Sequence, residues 1–424
     1  MKKSMLFLLG MLALAAGMVF AGGGAQQSGG GGSQDITLNF WHIEVIEQRR
    51  EFLENAIKRF EQANPGVHIV PSLYENEPFK TKLKTVSGDD FPDIFRNWGG
   101  GWLKDFVNAG LAADITDYVQ GVESVIGGAN KNFAAFNGRI YGLPYMVSDT
   151  LLYYNKEIFE KYNLQPPTTL AELDKVAQTL LANGITPFAL GNQTKWTGAQ
   201  HFVYLAMRIG GPDIFQQVMD KKAKFTDEPF IRAGQILQDQ VNKGYFPAGA
   251  NGVNVDTGGE RMMFYTGQYG MLVQLSGTLT NFRNENPDFL KKVGIIPYPV
   301  VEGGKGKITD HLAGSGVYSV SAHSKNREIA AKFVAFLASD EQFQRENLGI
   351  FQLPVRQNLS TTEPVMKEVL GILGRATYLQ NFIDQTLSAA LAEKHKDTTQ
   401  ALYAKTMTSQ QVGSEMQAAI DSGL

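Results

Sequence analysis

From Ile36 onward the hydrophobic pattern changes period and changes back, and this restricts the fold more than any single motif does. Ile36, Leu38 and Phe40 alternate with Thr37 and Asn39, the period of a half-buried strand that ends at Trp41-His42. Phe52, Leu53, Ala56, Ile57, Phe60 and Ala63 then recur at helical spacing, and Asn64-Pro65-Gly66 stops the helix before a second strand begins at Val67. Strand, helix, strand is the opening of a parallel α/β sheet. The alternation persists. Thr169-Leu170-Ala171-Glu172 forms a capping box after Pro166-Pro167, and Leu173, Val176, Ala177, Leu180 and Leu181 supply the apolar face of its helix. Ile329, Ala330, Phe333, Val334 and Leu337 make another amphipathic helix after a strand around Val317–Val320. No internal repeat is apparent, which argues against solenoids and propellers.

A chain of 424 residues is long enough for two or three domains. Its formal charge of -3 lacks the basic excess that neutralises phosphates, so nucleic acid is not an expected partner. With no Cys there are no disulfides, thiolate metal sites or thiol nucleophiles, and the compartment must be read elsewhere. The N-terminus supplies it. Lys2 and Lys3 precede an apolar run, Met5–Phe20, and Val19-Phe20-Ala21 fits a signal-peptidase site after Ala21. That run is shorter than the ~20 apolar residues of a membrane span. Residues 1–21 are therefore expected to be a signal peptide that exports the protein to the periplasm or the extracytoplasmic surface. Residues 22–34, rich in glycine, are expected to form a flexible linker. Such a tether often follows a lipidated Cys, and none is present here.

Catalytic and metal motifs are weak. The six histidines include no pair at ligand spacing, so no metal site and no cofactor is expected. Glu302–Lys307 lacks the full phosphate-loop order and reads as a solvated hairpin tip, and Gly99-Gly100-Gly101 fails the dinucleotide spacing. Gly314-Ser315-Gly316 is too compact for a nucleophile elbow. Asp89, Asp90 and Asp93 form the densest acidic cluster, a weak signal for glycoside hydrolysis. Aromatics and polar groups at predicted strand ends remain: Trp41, His42 and Glu44, then Arg96, Asn97, Trp98 and Trp102, then Tyr145 and Asp149. Ligands of open α/β sheets sit beyond the carboxyl ends of strands. A sugar needs a flat apolar surface for its C–H face and fork-like groups for its hydroxyls, and this residue mixture offers both. Trp98 fits either a cleft wall or the core.

Several ordered motifs resemble the extracellular solute-binding proteins of carbohydrate ABC importers, the maltose-binding-protein-like group. They are Asn64–Val67, Phe91-Pro92-Asp93-Ile94, Gly110-Leu111, Asn137–Tyr145, Leu152–Lys156, Pro166–Leu173, Phe264 with Gly267–Met271, and Ser324–Glu328. The resemblance spans about residues 36–424 and implies a type II periplasmic-binding-protein fold, two discontinuous α/β lobes joined by hinge crossings. The implied lobes are 35–146 with 316–362, and 147–313 with 363–424. The implied crossings lie near Tyr145–Ser148, Leu312–Gly316 and Ser360–Val365. Gly314 and Gly316 suit a hinge or a simple turn equally.

Ligand-binding positions implied by the resemblance are Trp41, His42, Glu44, Asn97, Trp98, Tyr145, Trp196, Gln274, Ser276, Gly277, Gly314 and Arg356. Many family members carry Trp where Gly277 stands, so Trp196 is the expected substitute platform. Tyr378, Asn381 and Phe382 offer either another ring or helix packing. The function implied is non-covalent binding of a mono- or oligosaccharide by a monomer that delivers it to membrane permease subunits. The alternatives are the same fold with another solute, such as a polyamine, a metal chelate or phosphorylated glycerol, and an exported glycoside hydrolase. Charge looks sparse among the expected pocket residues, with Arg96, Glu44 and Asp149 the exceptions, which favours a neutral polyol.

Overall fold

The structure, a computed structural model, describes residues 35–86, 88–126 and 133–423. The expected signal peptide, 1–21, and the expected linker, 22–34, lie outside the described residues. Eleven strands are present among those described: β1 Ile36–His42, β2 Val67–Leu73, β3 Ile94–Asn97, β4 Ala135–Phe136, β5 Arg139–Ile140, β6 Leu143–Asn155, β7 Thr186–Ala189, β8 Tyr269–Leu275, β9 Val293–Ile296, β10 Asp310–Val320 and β11 Tyr378–Gln380. β4 and β5 form a small hairpin, and the other nine make one sheet in the order β2-β1-β3-β10-β6-β8-β7, with β11 on β10 and β9 on β6.

The opening unit is as the periodicity predicts. β1 runs parallel to both β2 and β3, and the intervening helix, Glu47–Ala63, buries Leu53, Ala56, Ile57 and Phe60. β2 lies at the sheet edge, where Pro71 costs no ladder bond to a further strand. On the core side Phe40 meets Tyr318 and Phe333 edge-on, at 4.9 and 5.6 Å between centroids. The capping box is formed, with Glu172 N donating to Thr169 Oγ1 and Thr169 N donating to the Glu172 carboxylate.

β6 and β10 organise everything else. The first half of β6 pairs antiparallel with β10, and its second half, Thr150–Asn155, pairs with β8 and β9. β10 likewise pairs with β11 through Asp310–Leu312 and with β3 through Val317–Val320. Each strand thus belongs to both parts of the sheet. Where they cross, the Tyr204 hydroxyl donates to Thr150 O at 2.6 Å and accepts from Leu312 N at 3.2 Å, clipping the two strands together. Beside this clip His311 Nδ1 sits 2.9 Å from Asp149 Oδ2 in a fully buried pair, where desolvation pushes the Asp149 carboxyl up.

The two glycines of β10 have a packing reason. Neither has a left-handed backbone. A Cβ on Gly314 would stand 2.3 Å from the Phe382 ring, and one on Gly316 would stand 2.6 Å from the ring of Tyr145. Gly99-Gly100-Gly101 is explained the same way: added Cβ atoms would meet backbone oxygens of Phe133, Gln385 and Leu387 at 2.2–2.4 Å. Gly100 and Gly101 let the start of helix Gly100–Asn108 seat directly on the Gln385–Leu387 backbone, and Gly99 lets the chain pass against Phe133. The segment Glu302–Lys307 is a turn, but not one solvated on every side. Gly304 and Gly306 press on the backbone of Met207 and Arg208, and the buried Arg208 donates to the carbonyls of Lys307, Asp310, Tyr298 and Pro299.

Candidate functional site

Beyond the ends of β1 and β3, next to the β6–β10 crossing, lies a cavity of about 220 Å³ that continues into a mouth of about 500 Å³. Ile43, Met146, Ser148, Trp196, Asp256 and Leu275 line both, so the two voids are one cleft. One wall comes from the N-terminal part of the chain. Lys80 reaches in from helix Asn76–Thr85, and Arg96 and Trp98 come from the end of β3. Trp98 is 6% exposed and packs against Trp102 at 5.1 Å and Phe79 at 6.1 Å. Lys80 Nζ and the Arg96 guanidinium sit 5.1 and 5.0 Å from its ring centroid, so its π-system already has cationic partners.

The other wall is built by helix Trp196–Gly210 and by the chain from Phe382 to His395. Trp196, Ala199, Gln200 and Val203 follow the i, i+3, i+4, i+7 rule and present one stripe to the cavity. Phe382, Asp384, Gln385 and His395 complete it. Four of these residues retain a buried polar atom with no hydrogen-bond partner: Trp196 Nε1, Gln200 Oε1, Gln385 Oε1 and His395 Nε2. Burial lowers the His395 pKa to about 4, with the neighbouring Lys396 charge adding to the effect, so the ring is neutral at pH 7. Desolvation raises the Asp384 carboxyl, opposed by Lys80 and Lys396.

The expected site residues fall into three sets. Trp98, Trp196, Gln274, Gly277 and Gly314 line the cleft. Trp41, His42, Glu44, Asn97, Tyr145 and Ser276 do not, because each is already committed behind the wall. Trp41 packs on Tyr74 at 5.2 Å, with Lys82 over its ring at 4.6 Å. His42 is buried, its Nδ1 accepting from Glu44 N at 3.3 Å, and desolvation lowers its pKa. Asn97 links Ser319 Oγ and Gly99 N, both at 2.9 Å. Tyr145 stacks on Tyr318 at 4.2 Å, donates to Glu44 and accepts from Arg96 Nε at 3.3 Å, so Glu44 and Tyr145 position Arg96. Ser276 Oγ accepts from Asp149 N at 3.2 Å beside the strand crossing. Arg356 stands apart from the cleft altogether, donating to Ser339 O at 2.6 Å and paired with Glu341 at 3.2 Å. An arginine following Leu-Pro-Val was expected at the ligand; a short-range ion pair holds it elsewhere.

Gly277 leaves room that another side chain takes. Arg49 Nη2 lies 3.2 Å from where its Cβ would be, and donates to Thr280 Oγ1 at 3.1 Å. Gln274 lines the mouth but is spent internally, donating to Glu260 and accepting from Leu275 N at 2.6 Å. Of the acidic cluster, Asp93 is a staple, accepting from Asn39 N at 2.9 Å and Ser324 Oγ at 2.5 Å. Lys80, Gln200, Asp256, Asp384, Gln385 and His395 went unnoticed in the sequence. Only Gln200 had a legible signal, four residues after Trp196 on one helical face. The cleft is also more charged than the sequence suggested, with Lys80, Arg96, Asp256 and Asp384 on its lining.

A mixed sheet with two strands shared between its parts and a cleft beside their crossing is the architecture of a two-lobed binding protein. Known proteins agree. The family described as bacterial extracellular solute-binding protein matches residues 46–342, and this chain belongs to it. A solved structure from work on xylan utilization by the thermophilic bacterium Caldanaerobius polysaccharolyticus is 31% identical, with a TM-score of 0.84 over 91% of this chain and 100% of that one. The multiple sugar-binding protein of Streptococcus mutans is 25% identical over 72% of each chain. The sn-glycerol-3-phosphate-binding periplasmic protein of Salmonella typhimurium is 25% identical over 75% of this chain and 74% of its own. The fold is accordingly the two-lobed type II periplasmic-binding-protein fold, and the family consists of solute-binding proteins rather than enzymes.

Proposed function

We propose that this chain is the extracytoplasmic receptor of an ABC importer, binding a mono- or oligosaccharide in the cleft and delivering it to the permease. The observation that carries this reading is the wall formed by Trp196, Gln200, Gln385 and His395: a half-buried indole beside three nearly buried side chains, each of the four with a polar atom left unpaired. A buried polar atom without a partner costs about 1–3 kcal/mol. A ligand that places hydroxyls there and a C–H face on the indole recovers that cost. The names of the relatives, concerned with xylan and with multiple sugars, point to the same ligand class.

The lobes are proposed to divide as 35–146 with 316–362 and 147–313 with 363–424, hinging where β6 and β10 cross. Closure then buries the ligand and gives the permease a distinct shape to detect. Export by the segment 1–21 and action as a monomer belong to the same proposal. Isothermal titration against xylo-, galacto- and chito-oligosaccharides tests it, with one-to-one binding expected. A folded protein that binds none of them would remove the carbohydrate reading. Incubation with chromogenic glycosides separates receptor from hydrolase: the receptor binds stoichiometrically without turnover.

A further inference from the structure

The cations and the anions around the cleft are in different conditions. Four cationic side chains line the cavity and its mouth, and each is already held by the protein. Lys80 Nζ is 2.9 Å from Glu77, and Arg96 donates to Tyr145 Oη and the Asn97 carbonyl. Arg49 donates to Thr280 Oγ1 at 3.1 Å, keeping one buried nitrogen, Nε, unpaired. Arg261 is bidentate on Glu285 at 2.8 and 3.1 Å. The carboxylates differ. Asp384 in the cavity and Asp256, which lines cavity and mouth, have no side-chain hydrogen bond or ion pair among the described residues; desolvation raises both carboxyls, opposed through space by Lys80 with Lys396 at Asp384 and with Arg261 at Asp256. The same lining holds the unpaired polar atoms of Gln200, Gln385 and His395, each residue less than a tenth exposed, so the carboxylates stand in a site with unmet hydrogen-bonding capacity.

We infer that the cleft is a charge filter: it accepts neutral and amino sugars and refuses ligands carrying a carboxylate or a phosphate, with Asp384 and Asp256 as the determining groups. This rests on the carbohydrate reading above and sharpens its ligand class. A ligand hydroxyl or ammonium donates to a free carboxylate in a charge-assisted hydrogen bond, stronger than a neutral one. A ligand anion meets like charge from Asp384 in the half-buried cavity and from Asp256 at its exposed rim, while Lys80 and Arg261 are already paired with carboxylates and Arg96 and Arg49 are held by neutral acceptors. The amides favour neither side, since each carries a donor and an acceptor.

Titration calorimetry with matched probes reads the filter: galactose, galacturonate and galactosamine, xylotriose with and without a glucuronate branch, and sn-glycerol 3-phosphate. The acidic member of each pair is expected to bind at least ~10-fold more weakly than its neutral partner, and glycerol phosphate not measurably. Asp384→Asn and Asp256→Asn should each narrow the neutral-to-acidic ratio by about threefold or more, with unchanged circular dichroism. Equal binding of acidic and neutral partners by the wild type overturns the inference, whatever the variants do. So does a ratio unmoved in both folded variants, or tight binding of glycerol phosphate. If neither member of any pair binds, the carbohydrate reading itself fails, an outcome distinct from equal binding of both.

Discussion

Trp98 and Trp196 line the same cavity from different parts of the chain, and the protein treats them in different ways. Trp98 is 6% exposed, wedged between Trp102 and Phe79 and approached by two cations. Trp196 opens its helix, is half-buried, and keeps an indole nitrogen unpaired. The first ring belongs to a packed aromatic cluster that also serves as a wall. The second has binding capacity in reserve. One cleft thus joins a wall that resists deformation to a wall that offers new contacts.

The difference can be broken by substitution. Trp98→Ala should cost about 4 kcal/mol of stability, because it removes a large side chain from a packed cluster. Its loss of affinity should be secondary to that. Thermal melts and titration of the best neutral sugar check both, and a variant of unchanged melting temperature would move Trp98 out of the core. Behind the second wall, Glu260 is wholly buried against Gln274 and Gly191 N, and desolvation raises its pKa from 4.5 to about 7. A raised carboxylate stabilises the fold fully below its unfolded pKa and loses that contribution as pH climbs through the folded value. Glu260→Gln should therefore gain stability relative to wild type between pH 4.5 and 8, by up to ~3 kcal/mol. Denaturant midpoints at the two pH values measure this, and a pH-independent difference would show that Glu260 is ionised throughout.

Trp196→Ala inverts the Trp98 result. Affinity should fall about 30-fold, roughly 2 kcal/mol, while stability changes by less than about 1 kcal/mol. Equal effects on affinity and stability at both tryptophans would erase the distinction. Gly314→Ala drives a methyl into the Phe382 ring and should cost about 1–2 kcal/mol, with weaker binding as that ring is displaced from the cavity. Arg356→Ala should leave affinity unchanged, since its partners lie on the helices at 339 and 341, away from the cleft.

Much of the scaffold is legible along the chain. β1, its helix and β2 follow from periodicity, and the Thr169 capping box follows from local chemistry that neighbours along the chain complete by themselves. The full lengths of β6 and β10 do not follow. Every residue of β10 and nearly every residue of β6 is buried, and a strand buried on both faces loses the alternation that announces it. The site is legible only in part for a related reason. Trp98 and Trp196 stand out as aromatics in polar surroundings. Asp384 and Gln385 lie in a four-residue helix, Ile383–Thr386, with no pattern of its own, and reach the cavity because two distant glycines, Gly100 and Gly101, let that backbone pack close.

Local order of polar and apolar residues determined an α/β chain, its early strands and helices, and a pair of tryptophans suited to a ligand. Which groups share the cleft, and which of its charges are already neutralised, was decided only by the tertiary structure. Period and capping act between residues a few positions apart. The pairing that ties Arg261 to Glu285 while leaving Asp384 open depends on distances in space, which no spacing along the chain encodes.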